Sequence, residues 1–296
     1  MEEQIMRIFV TGATGFLGQH VVAELRAAGH QVLGLTRSEA GADQLRAQGA
    51  AVQLQGIDAR TDFREAVADC DAVIHLAFDH NFARFKENCE TDRQIITNLG
   101  AALRGTAKPL LITSTTMVAA RRAEGPVTED DPALSSDFAP RAASEEAGAA
   151  VLAQGVNISV MRLPQVHDRD RQGLVSDLIA HAARLGVSAY VGAGANPWCA
   201  AHVSDVARLY RLAIEAGQPG ARYHAVAESA IPFREIAEAI GAKLGLPVEP
   251  LSPEEGAAHF GWLQHFATRD ASSSSAQTRA RLGWQPVGPG LIDDLL

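Results

Sequence analysis

The chain has 296 residues, 47% hydrophobic and 21% charged, a globular composition with length for one large domain or a nucleotide-binding domain carrying a lobe; disorder and fibrous classes are excluded. A formal net charge of −9 repels a phosphate backbone, so nucleic acid is not an expected partner. Cys70, Cys89 and Cys199 offer no C-x-x-C pairing for a disulfide framework or zinc site, no apolar run reaches the about eighteen residues of a membrane span, and Met1-Glu2-Glu3-Gln4 is acidic where a signal peptide is basic, which predicts a cytoplasmic protein without membrane contact.

Short apolar runs between turn residues predict strands at 7–10, 31–35, 52–55, 72–76, 110–113 and 158–162. Segments of helical period lie between them at 16–28, 41–48, 62–68, 91–103 and 142–154, three of them stopped by Gly29, Gly49 and Gly155. Alternation of this kind gives an α/β fold, a doubly wound parallel sheet with helices on both faces. The pattern loosens after Pro164, where a polar turn at 167–171, an amphipathic helix and a Gly/Pro loop at 191–197 mark a lobe boundary. A helix at 203–216 and a strand at 222–225 return to the sheet. Helices at 233–244 and 253–260, a strand at 248–251 and loops follow, with Asp270 placed to make a turn or cap a helix after the serines at 272–275. A nucleotide-binding unit is therefore expected at 1–164, completed by about 201–226, with a small mixed C-terminal lobe at 165–200 and 227–296.

The first strand runs directly into Thr11-Gly12-Ala13-Thr14-Gly15-Phe16-Leu17-Gly18, and a helix starts inside that segment. Strand, glycine turn and helix in that order form a diphosphate site: Gly12 makes the turn, Gly15 lets the backbone approach the anion, Gly18 lets helix and strand pack, and free N–H groups at the helix start receive the charge. At the end of the second strand a carboxylate would meet the ribose diol of NAD(H), but Leu35-Thr36-Arg37-Ser38 stands there. A guanidinium fork and a hydroxyl suit a 2′-phosphate, which favours NADP(H) as cofactor over NAD(H). Asp58 is a candidate for the adenine amino group, or a loop cap, and Leu76-Ala77-Phe78 would pass beside the cofactor.

The Thr11–Gly18 segment resembles the glycine motif of the extended short-chain dehydrogenase/reductase superfamily, of the kind that includes the NAD-dependent epimerases and dehydratases. Ala72-Val73-Ile74-His75-Leu76-Ala77, Ile112-Thr113-Ser114-Thr115, Arg162-Leu163-Pro164-Gln165-Val166-His167 and Ala201-His202-Val203-Ser204-Asp205-Val206-Ala207 resemble its later blocks, so the likeness extends along nearly the whole chain. It implies a Rossmann domain of about seven strands and a small lobe closing over the nicotinamide. The family's catalytic Tyr, four residues before a Lys, is missing: Gly194, Ile214 and Ala227 follow Tyr190, Tyr210 and Tyr223 at that distance. With Arg141 and Glu145 matched to the Lys and its downstream Glu, Asp137 takes the Tyr position, which places the chain among the atypical members.

Hydride delivery to a carbonyl or imine needs a donor that steadies the developing negative charge. Thr115 stands where the resemblance puts a catalytic Ser/Thr, at a strand's C-terminal end, with Ser114 and Thr116 beside it; its alternative is to satisfy loop backbone. Asp137 would have to be held protonated, against the influence of Arg141, and is otherwise a polar loop residue; Arg141 is either a cofactor-ribose contact or a surface charge. His167 is either a second candidate proton donor or a structural residue, and His202 is expected to organise a loop with Asp205. Met117, Thr116, Gln165 and Trp198 complete the candidate substrate-binding set, with Trp198 as an apolar wall, while 259–265 is expected to build the lobe core. Metal binding is not indicated.

These residues predict an NADPH-dependent oxidoreductase that reduces a small carbonyl or imine substrate, with a homodimer as the expected assembly. Two alternatives stay open: a nucleotide-sugar epimerase or dehydratase, and a non-catalytic NADP(H)-binding regulatory protein.

Overall fold

The computed structural model describes residues 5–121 and 124–296. Its first half alternates strand and helix: β1 (Arg7–Thr11), α1 (Phe16–Ala27), β2 (Gln31–Thr36), α2 (Glu39–Ala47), β3 (Ala51–Leu54), α3 (Arg64–Ala68), β4 (Ala72–His75), α4 (Phe85–Leu103), β5 (Leu110–Thr115), α5 (Ala143–Ala153) and β6 (Ile158–Leu163). The second half is mixed: β7 (Gln165–His167), α6 (Leu174–Leu185), β8 (Ser188–Val191), β9 (Pro197–His202), α7 (Val203–Ala216), β10 (Arg222–His224), β11 (Glu228–Pro232), α8 (Phe233–Leu244), β12 (Val248–Leu251), α9 (Pro253–Phe260), α10 (Gln264–Ala267), α11 (Ala276–Leu282) and α12 (Leu291–Leu295).

Seven strands form one parallel sheet in the order β3-β2-β1-β4-β5-β6-β10, the doubly wound topology the alternation predicts. Each central strand is apolar on both faces because helices cover both: Ile8, Phe9 and Val10 of β1 are fully buried. One face packs on α1 and α7, where Val21, Val22 and Leu25 each contribute roughly 2 kcal/mol by leaving water. The other face packs on α4 and α5 through Ile95, Ile96, Leu99, Ala147 and Val151. Strand order reverses beside β1, so the chain departs in opposite directions from β1 and β4, and a crevice opens beyond their C-terminal ends.

The lobe holds a three-stranded sheet, β11-β9-β7, and a parallel pair, β12-β8, around a separate apolar core. Four of these strands, β7, β8, β9 and β11, were not visible as strands in the sequence, β7 and β8 being short and none showing period-two alternation. The tail does not stay with the lobe: Trp284 is buried in the sheet domain's core, and its indole N–H donates to Asp205 O at 2.9 Å. Helix α4 begins six residues before the predicted start, since Asn88 and Cys89 are buried and Asn88 bonds back to the carbonyls of Asp79 and Asn81. Among the described residues no helix is long and apolar enough to cross a membrane.

Candidate active site

The crevice between β1 and β4 is lined by the glycine turn. Gly12 has φ +66°, and a Cβ there would lie 2.6 Å from the amide nitrogen of Ala77, so the backbones after β1 and β4 meet only because that side chain is missing. Gly18 is packed against the Gly12 carbonyl, which a Cβ on Gly18 would strike. Gly15 is the N-cap of α1, offers no side-chain cap, and is followed by a first turn without an acidic residue. The first N–H groups of α1 therefore remain open to an anion. A cradle of bare backbone at a helix start fits a diphosphate group, so the residues present suit a dinucleotide.

Arg37, immediately after β2, is exposed and makes no ion pair among the described residues. Ser38 caps α2 by accepting from Gly41 N at 3.2 Å, which uses an oxygen lone pair and leaves its hydroxyl proton to donate. Asp58 serves its own loop, accepting from Arg60 N at 2.8 Å and from the Thr61 hydroxyl at 3.2 Å.

Beneath the cradle runs a buried polar ladder that motif reading missed. The Thr11 hydroxyl donates to His75 Nδ1 at 2.6 Å while accepting from Leu76 N and Ala77 N, and His75 Nε2–H donates to Asp92 Oδ1 at 2.9 Å. Asp92 Oδ2 receives Arg141 Nη1 at 3.0 Å together with the Ser144 hydroxyl. Arg141 also donates through Nη2 to Thr113 O at 2.8 Å and lies 4.2 Å over the Phe78 ring. Burial pushes the Asp92 carboxyl up, but Arg141, with the His75 and Ser144 hydrogen bonds, outweighs it and holds the group below its ordinary value. The available signal was Asp92 itself, an acid in the stripe Cys89, Asp92, Ile96, Leu99, Leu103 that faces the core.

The other candidates separate. Thr115 is half-buried; its hydroxyl donates to Leu163 O at 3.1 Å and accepts from Met117 N at 3.3 Å. Ser114 points to the opposite face and donates to Glu145 at 2.7 Å, and Glu145 is clamped by the fully buried Arg162 through two 2.8 Å bonds. Asp137 lies exposed and bonded to Ser135 on its loop, without the burial that would hold it protonated, and Arg141 pairs with Asp92 instead. Thr116 is buried beside Cys199, the Gln165 side-chain oxygen accepts from Leu174 N, and Trp198 is enclosed in the lobe core against Phe233 rather than walling a cleft. Met117 remains half-buried at the lobe boundary, its carbonyl held by Arg269 at 2.9 Å.

His167 is fully buried, donates from Nδ1 to Asp294 at 2.7 Å and has its Nε2 enclosed without a hydrogen-bond partner. Burial lowers its pKa, against the pull of Asp294. His202 does not pair with Asp205: its Nδ1 meets Ser204, while Asp205 receives the N–H groups of Val287 and Gly288. Of the aromatic run at 259–265, Phe260 enters the lobe core, but Trp262 is 52% exposed and packs on Phe82 of the β4–α4 connection.

A seven-stranded parallel sheet, a glycine cradle at its switch point and a lobe built from the later crossovers define a Rossmann-type dinucleotide-binding protein of the extended short-chain dehydrogenase/reductase kind. The sequence profile of the NAD dependent epimerase/dehydratase family matches residues 8–226, and the chain belongs to that family. It is 43% identical to an uncharacterized protein of Schizosaccharomyces pombe over 98% of both chains. It is 31% identical to the 2'-dehydrokanamycin reductase of Streptomyces kanamyceticus, over 87% of this chain and 72% of the relative. The fold matches DesIV, a dTDP-glucose 4,6-dehydratase from Streptomyces venezuelae solved with NAD and TYD, with a TM-score of 0.78 at 21% identity over 98% and 94% of the two chains.

Proposed function

We propose that this chain is an NADP(H)-dependent oxidoreductase that reduces a small carbonyl or imine. When bound, the cofactor supplies the hydride. The turn at 12–18 and the open start of α1 hold the diphosphate, Arg37 and Ser38 take the 2′-phosphate, and Leu76, Ala77 and Phe78 border the path towards β5. Thr115 hydrogen-bonds the substrate oxygen, which requires only that its hydroxyl rotate away from Leu163 O. Arg141 stays cationic throughout and fixes the floor of the site through Asp92 and Phe78. The carrying observation is Arg37, an exposed guanidinium without an ion-pair partner among the described residues, standing where NAD specificity calls for a carboxylate. The reductase name of the Streptomyces kanamyceticus relative supports the direction of the reaction.

Calorimetry with NADPH and NADH tests the cofactor assignment: NADPH should bind at least about tenfold more tightly, and tighter NADH binding overturns it. Loss of NADPH absorbance with a panel of aldehydes, ketones and cyclic imines then tests catalysis, and Thr115→Val should abolish turnover. A second reading is favoured by one observation, the commitment of the Thr115 and Ser114 hydroxyls to protein acceptors. In that reading the protein binds NADP(H) as a regulatory signal, and tight uptake without turnover supports it.

A further inference from the structure

A ladder of aromatic side chains runs from Phe78 to the lobe, and beyond Phe78 the cofactor assignment leaves it unused. It starts at Phe78, next to the Ala77 that meets Gly12, and passes edge-to-face to Phe85 at 6.0 Å. Phe85 stacks on Phe82 at 5.3 Å with 23° between the planes, and Phe82 lies 4.8 Å from Trp262 of the lobe, tilted by 34°. Phe82 and Trp262 are 37% and 52% exposed, and with Phe138 they are the exposed large aromatics among the described residues. Phe82 and Phe138 lie on the connections leaving the C-terminal ends of β4 and β5, where open α/β sheets bind their ligands.

We infer that Phe82 and Trp262 form the gate and specificity wall of the substrate cleft, opening to admit a flat aryl carbonyl compound and closing on its face. The inference rests on the proposed reductase reading and adds the class of substrate. The two rings sit on different units, the β4–α4 connection and the lobe, and no hydrogen bond or ion pair joins Trp262 to that connection among the described residues. Separation therefore breaks a single ring contact between groups that already touch water, and a planar substrate restores that contact on both of its faces. The indole N–H is also free for a ligand: Trp198 and Trp284 donate to Phe266 O and Asp205 O, whereas Trp262 has no protein acceptor among the described residues.

Trp198 and Trp284 are 1% and 0% exposed, so acrylamide quenching of tryptophan emission reports on Trp262. With NADP+ bound, phenylpropanal should shield Trp262 from acrylamide, cyclohexylpropanal should shield it less, and Trp262→Leu should abolish the shielded signal. In turnover, Phe82→Leu and Trp262→Leu should raise KM for phenylpropanal by about threefold to tenfold, the range expected for one lost ring contact, with kcat unchanged within about twofold and the cyclohexyl compound little affected. Equal effects on both aldehydes, or no shielding in protein that takes up NADP+ normally, overturn the gate. Failure to take up NADP+ strikes the cofactor reading instead. Calorimetric cofactor binding of both variants should match the parent and thermal melting should stay close to it, since both rings already touch water and leucine keeps part of their apolar area.

Discussion

Replacing Asp92 by Asn removes one charge from the buried ladder: the amide oxygen can still accept from His75, while the amide nitrogen replaces the oxygen that accepts from Arg141 and Ser144. Asp92 is 3% exposed and its Oδ2 stands 3.0 Å from Arg141, whose side chain is 13% exposed. Unit charges at that separation attract by about 5 kcal/mol at an effective dielectric near 20. Part of that attraction offsets desolvation that both charges have already undergone, so the cost of orphaning Arg141 is set by the lower end of the range for broken buried pairs, about 3 kcal/mol. A urea midpoint that falls at unchanged slope, with Tm lower by roughly 5 °C, is the expected outcome. Adding Arg141→Met, which keeps an apolar stem and removes the orphan charge, should recover more than about 1 kcal/mol in a double-mutant cycle.

The same pair sets an acid limb. Because Asp92 is held below its ordinary value, the unfolded chain takes up the proton first as pH falls, so the stability the carboxylate contributes is present above about pH 3.9 and is lost as pH drops through its depressed folded value. Asp92→Asn should flatten that part of the stability profile. A loss below about 1 kcal/mol, or additive single variants, would refute the argument by showing that Arg141 reaches water or Phe78 without needing Asp92.

Arg37→Glu should reverse cofactor preference, weakening NADPH binding by about tenfold to a hundredfold and improving NADH, as read by calorimetry at fixed salt. Gly18→Ala forces a methyl into the Gly12 carbonyl and should remove measurable dinucleotide uptake, with a stability loss of about 1–3 kcal/mol that distinguishes local strain from global unfolding. Burial pushes His224 down to about 4, and lowers His167 as well, so both stay uncharged in the folded chain where the unfolded chain would protonate. Stability should therefore fall as pH drops from about 6.5 towards 4, by about 3 kcal/mol for His224, and His224→Gln should flatten the slope between urea midpoints measured at those two limits.

The cradle was legible because everything it needs is contiguous. Strand, turn and helix start occupy Thr11 to Gly18, and the packing demands on Gly12 and Gly18 act between neighbours in the chain or across one strand pair. The chemistry beside it was not, because its groups meet across distance: His75 finds Asp92 17 residues on, Arg141 finds it 49 residues back, and His167 finds Asp294 127 residues away. Sequence reasoning set Arg141 beside Asp137, its near neighbour, whereas the fold delivers Asp92 from α4.

Strand pleating explains the other division. Thr113, Ser114 and Thr115 are consecutive hydroxyls at the end of β5, but alternate residues face opposite sides of a sheet. Thr113 bonds His75 O and Tyr210 on the α7 side, while Ser114 bonds Glu145 of α5, so only one register can serve a ligand above the strand end. The pairing of Asp92 with Arg141 then narrows how protons move in whatever reaction the chain performs. A guanidinium does not release its proton in a protein, and an acid held ionised by that guanidinium does not supply one near neutral pH. Under the proposed reductase reading, the proton that a reduced substrate takes up comes from solvent through the Thr115 hydroxyl rather than from this pair, with half-buried Thr115 and Met117 as the point of water entry.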